Sequence, residues 1–133
     1  MRPAAATAGM LSAAALLSSG CGGEAPARGE REEPVRRAAF RSLAARDFLL
    51  TCPAGAGRRE TDYQAQRLAE LKRLGGEKGA GRAIWLGEND WAGVSRYGDR
   101  ERCEPGEAAY LEAVAAYSGT LDALAARIAE YRP

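Results

Sequence analysis

The final third of the chain limits the fold most. Tyr110, Val114, Tyr117, Leu121, Leu124, Ile128 and Tyr131 recur at alternating separations of four and three residues. That rhythm puts all seven on one face of a helix over about three heptads, and a face so apolar needs a partner. The partner can be other helices of the same chain or a second copy in a coiled coil. Packing within the chain is the expectation, because three heptads are marginal alone and Gly119 interrupts them. Glycine inside a helix costs about 1 kcal/mol relative to alanine, so Gly119 is read as a kink or a close helix contact. Pro105 and Glu107 suit the start of this helix.

Two further helices are expected upstream. Val35, Ala39, Phe40, Leu43 and Ala44 follow helical spacing after Pro34, which suits a first helical turn. Phe48 to Thr51 could extend that helix or form a short strand, and Pro53, Gly55 and Gly57 end either one. The second helix is marked by Thr61-Asp62-Tyr63-Gln64, a capping-box pattern, by Leu68, Leu71 and Leu74, and by Gly75-Gly76 as a left-handed stop.

Between the second and third helices, residues 79–99 hold both tryptophans among five glycines and several polar residues. Two structures compete there, a small hairpin turning at Gly87 to Asp90 and an irregular loop with short helical or strand pieces, and the loop is the expectation. Trp85 and Trp91 read most simply as core plugs, with Glu88, Asn89 and Asp90 as a turn. As a surface, Trp85, Trp91, Arg96 and Tyr97 would be partner contacts. Glu88 and Asp90 beside the tryptophans could be the acid pair of a weak glycan hydrolase, but a glycosidase needs carboxyls on opposed sides of its substrate. A calcium site is disfavoured because no twelve-residue Asp-rich loop is present.

The chain contains no histidine, which removes imidazole as a base or metal ligand. It also lacks a phosphate-binding loop of the GxxxxGK type and a GxSxG elbow. Ser42, Ser95 and Ser118 lack an activating context. A binder is thus expected rather than an enzyme, with no cofactor and no metal.

At the other end, Arg2 is followed by the small and apolar run Met10 to Leu17 and then by Ser18-Ser19-Gly20-Cys21. The run is about eight to ten residues, well short of the roughly 20 that cross a bilayer. This arrangement resembles the signal peptide and lipobox of bacterial lipoproteins, with Ser18 where the commonest pattern has leucine. The resemblance implies cleavage after Gly20, a lipid on Cys21 and attachment to the cell envelope facing the periplasm. Gly22 after the cysteine resembles outer-membrane sorting more than inner. Cleavage after Ala27 would instead give a free periplasmic protein, and residues 1–20 could also be no more than an Ala-rich end.

With Cys21 consumed, Cys52 and Cys103 are an even pair, which an oxidising compartment would join as one disulfide; two buried thiols are the alternative. Removing residues 1–20 from the 133 leaves 113, enough for one modest core, with eighteen basic and eighteen acidic residues. That balance gives no argument for nucleic acid. Residues 22–33 have no large apolar side chain and read as a flexible tether.

Trp91, Arg96, Tyr97, Asp99 and Cys103 loosely resemble the aromatic, Arg and Asp residues that precede a cysteine in small helical envelope proteins of the lysozyme-inhibitor type. The spacing departs from that pattern and a second internal cysteine pair is missing, so no inhibitory site carries over.

The expected molecule is therefore mainly α: residues 1–20 a signal peptide, 21–33 a lipidated cysteine and tether, and 34–133 a three-helix domain with one disulfide and an irregular Trp-containing loop. Its expected role is to bind a protein or cell-wall partner in the envelope as a lipid-anchored monomer. The alternative is an assembly accessory that self-associates through the heptad helix.

Overall fold

The computed structural model describes residues 26–98 and 100–133. Among them are four helices and no strand: α1 (Arg28–Leu50), α2 (Arg59–Glu77), α3 (Gly81–Tyr97) and α4 (Glu107–Glu130). A single 3-10 turn, Pro53–Gly55, lies between α1 and α2. The mainly α fold with one disulfide is as expected; the helix count is one higher. The leader and Cys21 lie outside the described residues.

The α4 stripe is spent inside the chain. Tyr110, Tyr117, Leu121, Leu124, Ile128 and Tyr131 are buried, with Val114 partly so, against Val35, Ala38, Ala39, Leu43 and Leu49 of α1 and Leu68 and Leu71 of α2. A stripe so covered is not open to a second copy, which removes the structural basis for self-association through this face. Gly119 does not make the close helix contact: α4 continues through it, and a Cβ there would meet nothing within 4 Å.

Side-chain pairs fix the directions of the helices. Ser42 Oγ donates to the Thr120 carbonyl at 3.2 Å, so α1 and α4 run antiparallel, with Tyr110 near the end of α1 and Arg127 near its start. Glu32 pairs with Arg82, Arg36 with Asp90, and Asp47 with Trp91, so α3 runs parallel to α1. Arg58 meets Glu107 and Arg67 meets Asp122, which makes α2 parallel to α4. Lys72 meets Glu88, closing α2 and α3 as a hairpin. In this bundle α1 packs chiefly on α3 and α4, and α2 lies across from it.

Three local expectations are corrected. First, the tether gives way to helix at Arg28, six residues before Pro34, which sits inside α1. The charges there are used rather than solvated: Glu32 is only 2% exposed, with Arg28 at 3.5 Å and Arg82 of α3 beside it. Second, α2 starts at Arg59, with Arg58 as its N-cap and no side-chain cap bond, so Thr61 lies in the first turn instead of capping it. Gly75 and Gly76 do not stop the helix. Gly75 is the point where α3 approaches, its missing Cβ site only 2.3 Å from Ile84 Cδ1, and the chain reverses at Gly79 with φ +83°.

Third, the tryptophan segment is helix α3. Ala83, Ile84 and Gly87 face the core, the i, i+1, i+4 pattern of a helix side. Gly87 looked like a turn residue, but its purpose is contact: a Cβ there would lie 2.2 Å from the Arg36 carbonyl oxygen and 2.9 Å from Ala39 Cβ. Only glycine lets α3 come this close to α1.

The Cys52–Cys103 bond joins the α1–α2 and α3–α4 connections at one end of the bundle. Its ends are 51 residues apart, and the chain-entropy model gives about 4 kcal/mol for closing a loop of that size. No helix among the described residues is long and apolar enough to cross a membrane.

The two glycines of opposite character give a paired prediction. Gly87→Ala forces a methyl into a backbone carbonyl and should lower stability by about 1–3 kcal/mol. Gly119→Ala meets open space and should raise it by up to about 1 kcal/mol. Urea unfolding of the two variants checks both signs, and equal effects would refute the packing described.

Candidate functional site

The four proposed contact residues fall in three different settings. Trp91, at the last turns of α3, is only partly exposed. Its ring packs edge-on to Phe40 of α1, centroids 5.6 Å apart at 84°, and its Nε1–H donates to Asp47 Oδ2 at 2.6 Å. A buried indole N–H with an apolar body and a carboxylate acceptor is well placed structurally. Trp85 is six residues earlier, about 240° around the helix, and 59% exposed on the outer side. Tyr97, the last residue of α3, is 83% exposed, and the Arg96 guanidinium lies over its ring at 6.0 Å from the centroid.

Trp91 forms one wall of a cleft of about 660 Å³ at the disulfide end of the bundle. Ala44, Phe48 and Thr51 of α1 and its exit supply the floor, Val94 lies beside Trp91, and Arg100, Glu101 and Arg102 form the outer rim. A second hollow of about 590 Å³, floored by Ala109, Ala113 and Ala116, continues from it and shares Phe48, Glu101 and Arg102. The polar anchor of the cleft is Asp47. Beyond the Trp91 bond it accepts from Arg46 Nε and Nη2 at 3.2 and 3.0 Å and has Arg100 at 3.7 Å.

The sequence did not flag Asp47, Phe48, Val94, Arg100 or Arg102 as one site. Phe48 carried a weak signal, an aromatic residue at the end of an apolar face. The others are brought together only by the parallel packing of α3 on α1.

Glu88 and Asp90 do not make an acid pair. Two helical positions apart, they point about 200° from each other and are claimed by different helices. Glu88 Oε2 accepts from Lys72 Nζ of α2 at 2.7 Å, whereas Asp90 takes a two-pronged bond from Arg36 of α1, at 2.6 and 2.9 Å. The opposed arrangement that glycan hydrolysis needs is not formed by these two residues. Two of the serines are committed too: Ser42 Oγ donates to the Ala38 and Thr120 carbonyls, and Ser95 Oγ to that of Ala92. Among the described residues no cluster of three or more acidic or cysteine side chains is set to hold a metal ion.

The Arg36 guanidinium, hydrogen-bonded to Asp90, holds that carboxyl below its ordinary 3.8 against the opposing pull of burial. The same bond raises Arg36. Tyr117, at 1% exposed, has its hydroxyl pushed up by burial, and that hydroxyl has no hydrogen-bond partner among the described residues. It belongs to the core beneath the cleft.

Compared with known proteins, the chain matches no family model, no curated protein and no solved structure.

Because Asp90 is more acidic folded than unfolded, its contribution to stability is complete above the unfolded value near 3.8 and is lost as pH falls through the lower folded value. Asp90→Asn should therefore melt below wild type at pH 7. The difference should shrink toward zero as pH falls through the lowered folded value, once wild-type Asp90 is protonated as well. A gap that persists unchanged in acid would mean that the ion pair is not its source.

Proposed function

We propose that this chain is a small, non-enzymatic envelope lipoprotein that binds a protein or cell-wall partner at the disulfide end of its bundle. The observation that carries the reading is apolar surface left uncovered at that end. Tyr97 is 83% exposed and Val94 54% exposed, next to a cleft whose inner wall is Trp91 and Phe48. Burying an aromatic or branched side chain stabilises by about 1.5–3 kcal/mol, a gain that the isolated chain forgoes at both positions. Tyrosine and tryptophan beside arginine are also the side chains that most often anchor a protein interface. Trp85, 59% exposed on the outer side of α3, extends the candidate surface.

The lipid reading fits this polarity. Arg28 lies at the opposite end of α1 from the cleft, and a 23-residue helix is about 34 Å long. The six residues between Cys21 and Arg28 span at most about 25 Å. With a lipid on Cys21, the base of the bundle stays near the membrane and the cleft is held outward, toward soluble or cell-wall partners. The residues expected to touch the partner are Trp85, Arg96 and Tyr97, with Trp91 as the inner wall of the cleft rather than a free contact.

Two measurements test this reading. Intact mass of the membrane-extracted protein should correspond to a chain that begins at Cys21 and carries lipid, and Cys21→Ser should leave the leader uncut. A photoreactive phenylalanine analogue at Tyr97 should give a discrete adduct in cells, while the same group at Tyr63, 65% exposed on α2, gives none. Equal labelling at both sites, or a soluble product with another first residue, would overturn it.

A further inference from the structure

The outer rim of the cleft is a strap, residues 100–106, in neither helix nor strand. Six of these seven residues are exposed charged residues, proline or glycine, and the single buried side chain is Cys103. Among the described residues the strap makes no backbone–backbone hydrogen bond until Gly106 accepts from Tyr110 at the start of α4. Its polar ties to the bundle are few: Cys103 N–H donates to Thr51 Oγ1 at 2.8 Å, and Arg100 reaches Asp47 across 3.7 Å at an exposed position. Neither is strong, since a neutral hydrogen bond contributes about 0.5–1.5 kcal/mol and a surface ion pair roughly 0–1 kcal/mol. What fixes the strap is the covalent bond from Cys103 to Cys52.

The helices are not held in that way. They share a continuous buried core, from Val35 and Leu43 of α1 to Leu121 and Ile128 of α4, and salt bridges pin each of α1–α3, α2–α3 and α2–α4. The covalent tie and the core meet at Cys52 and Cys103, 4% and 6% exposed within the same cluster, whereas the strap on either side of Cys103 is exposed and lies outside that cluster.

We propose that Cys52–Cys103 is a redox latch for the cleft. Oxidised, it presses the strap against Phe48 and closes both hollows on their outer side. Reduced, it frees the strap while the four helices stay packed, so the rim formed by Arg100, Glu101 and Arg102 is dismantled and Trp91 is uncovered. The reductant is a dithiol: it delivers two electrons and two protons, the two cystine sulfurs become thiols, and the dithiol closes to its own disulfide. Partner binding at this end would then require the oxidised chain. That consequence rests on the function proposed above, whereas the latch is measured without any partner.

The test uses the full chain carrying Cys21→Ser, so that only Cys52 and Cys103 respond to dithiothreitol. Nitrogen-15 relaxation should show order parameters at residues 100–104 falling from about 0.85 to below about 0.6 on reduction, with the helices unchanged. In a Trp85→Phe background, where Trp91 is the remaining tryptophan, its acrylamide quenching constant should rise at least about twofold. The Cys52→Ser/Cys103→Ser double variant should match the reduced chain. A strap that stays ordered after reduction would overturn the proposal. So would loss of the far-ultraviolet helical signal together with strap order, since the bond would then be a staple for the whole bundle.

Discussion

The buried stripe of α4 is the contact on which the rest of the bundle depends. Tyr110, Tyr117, Leu121, Leu124 and Ile128 are each at most 4% exposed and together run the length of the core. Side-chain burial at roughly 25 cal/mol per Å² is the main favourable term available to a domain of this size. Because α4 gives one face to α1 and α2 together, those two helices need little contact with each other. The remaining gap, between α1 and α2 on the other side, is filled by α3.

That last placement is the tightest in the molecule. A helix can lie against the Arg36 carbonyl only where it has no Cβ, and Gly87 supplies that position. Charge then sets the register. Glu32 with Arg82 and Arg36 with Asp90 fix α3 along α1; Lys72 with Glu88 fixes it along α2; Arg67 with Asp122 fixes α2 along α4. Partly exposed pairs of this kind stabilise little, but misaligned they would set buried or like charges together, so their main effect is on which alignment wins. The near balance of 19 basic and 18 acidic residues is therefore largely an internal matter.

The functional argument follows from the same packing. Parallel α1 and α3 end together, and their ends, with the strap, make a region where aromatic surface, a partly buried carboxylate and a covalent tie coincide. Residues that could have been catalytic are used as scaffolding: Asp90 and Glu88 hold neighbouring helices, and Ser42 bridges α1 to α4. The proposed recognition role rests on that contrast: these acids and the Ser42 hydroxyl are tied to structure, whereas Tyr97 and Val94 are left in water.

The sequence by itself determined the helical class and the α4 stripe, because a heptad rhythm over more than twenty residues reads as one helix face that needs a partner; that the partner is α1 and α2 of the same chain was decided by the tertiary structure. The sequence also made Cys52 and Cys103 the pair to join. It misjudged Gly75, Gly76 and Gly87, since a glycine required for helix contact and a glycine required for a turn are the same letter. For that reason α3 was hidden within an expected loop, and Thr61 was taken for a cap that the backbone at Arg58 supplies without a side chain. Only the tertiary structure separated Trp85 from Trp91, set Glu88 and Asp90 on different neighbours and gathered Asp47, Phe48 and Val94 around one cleft. Those relations depend on helix direction and rotation, which are settled by long-range packing rather than by local sequence.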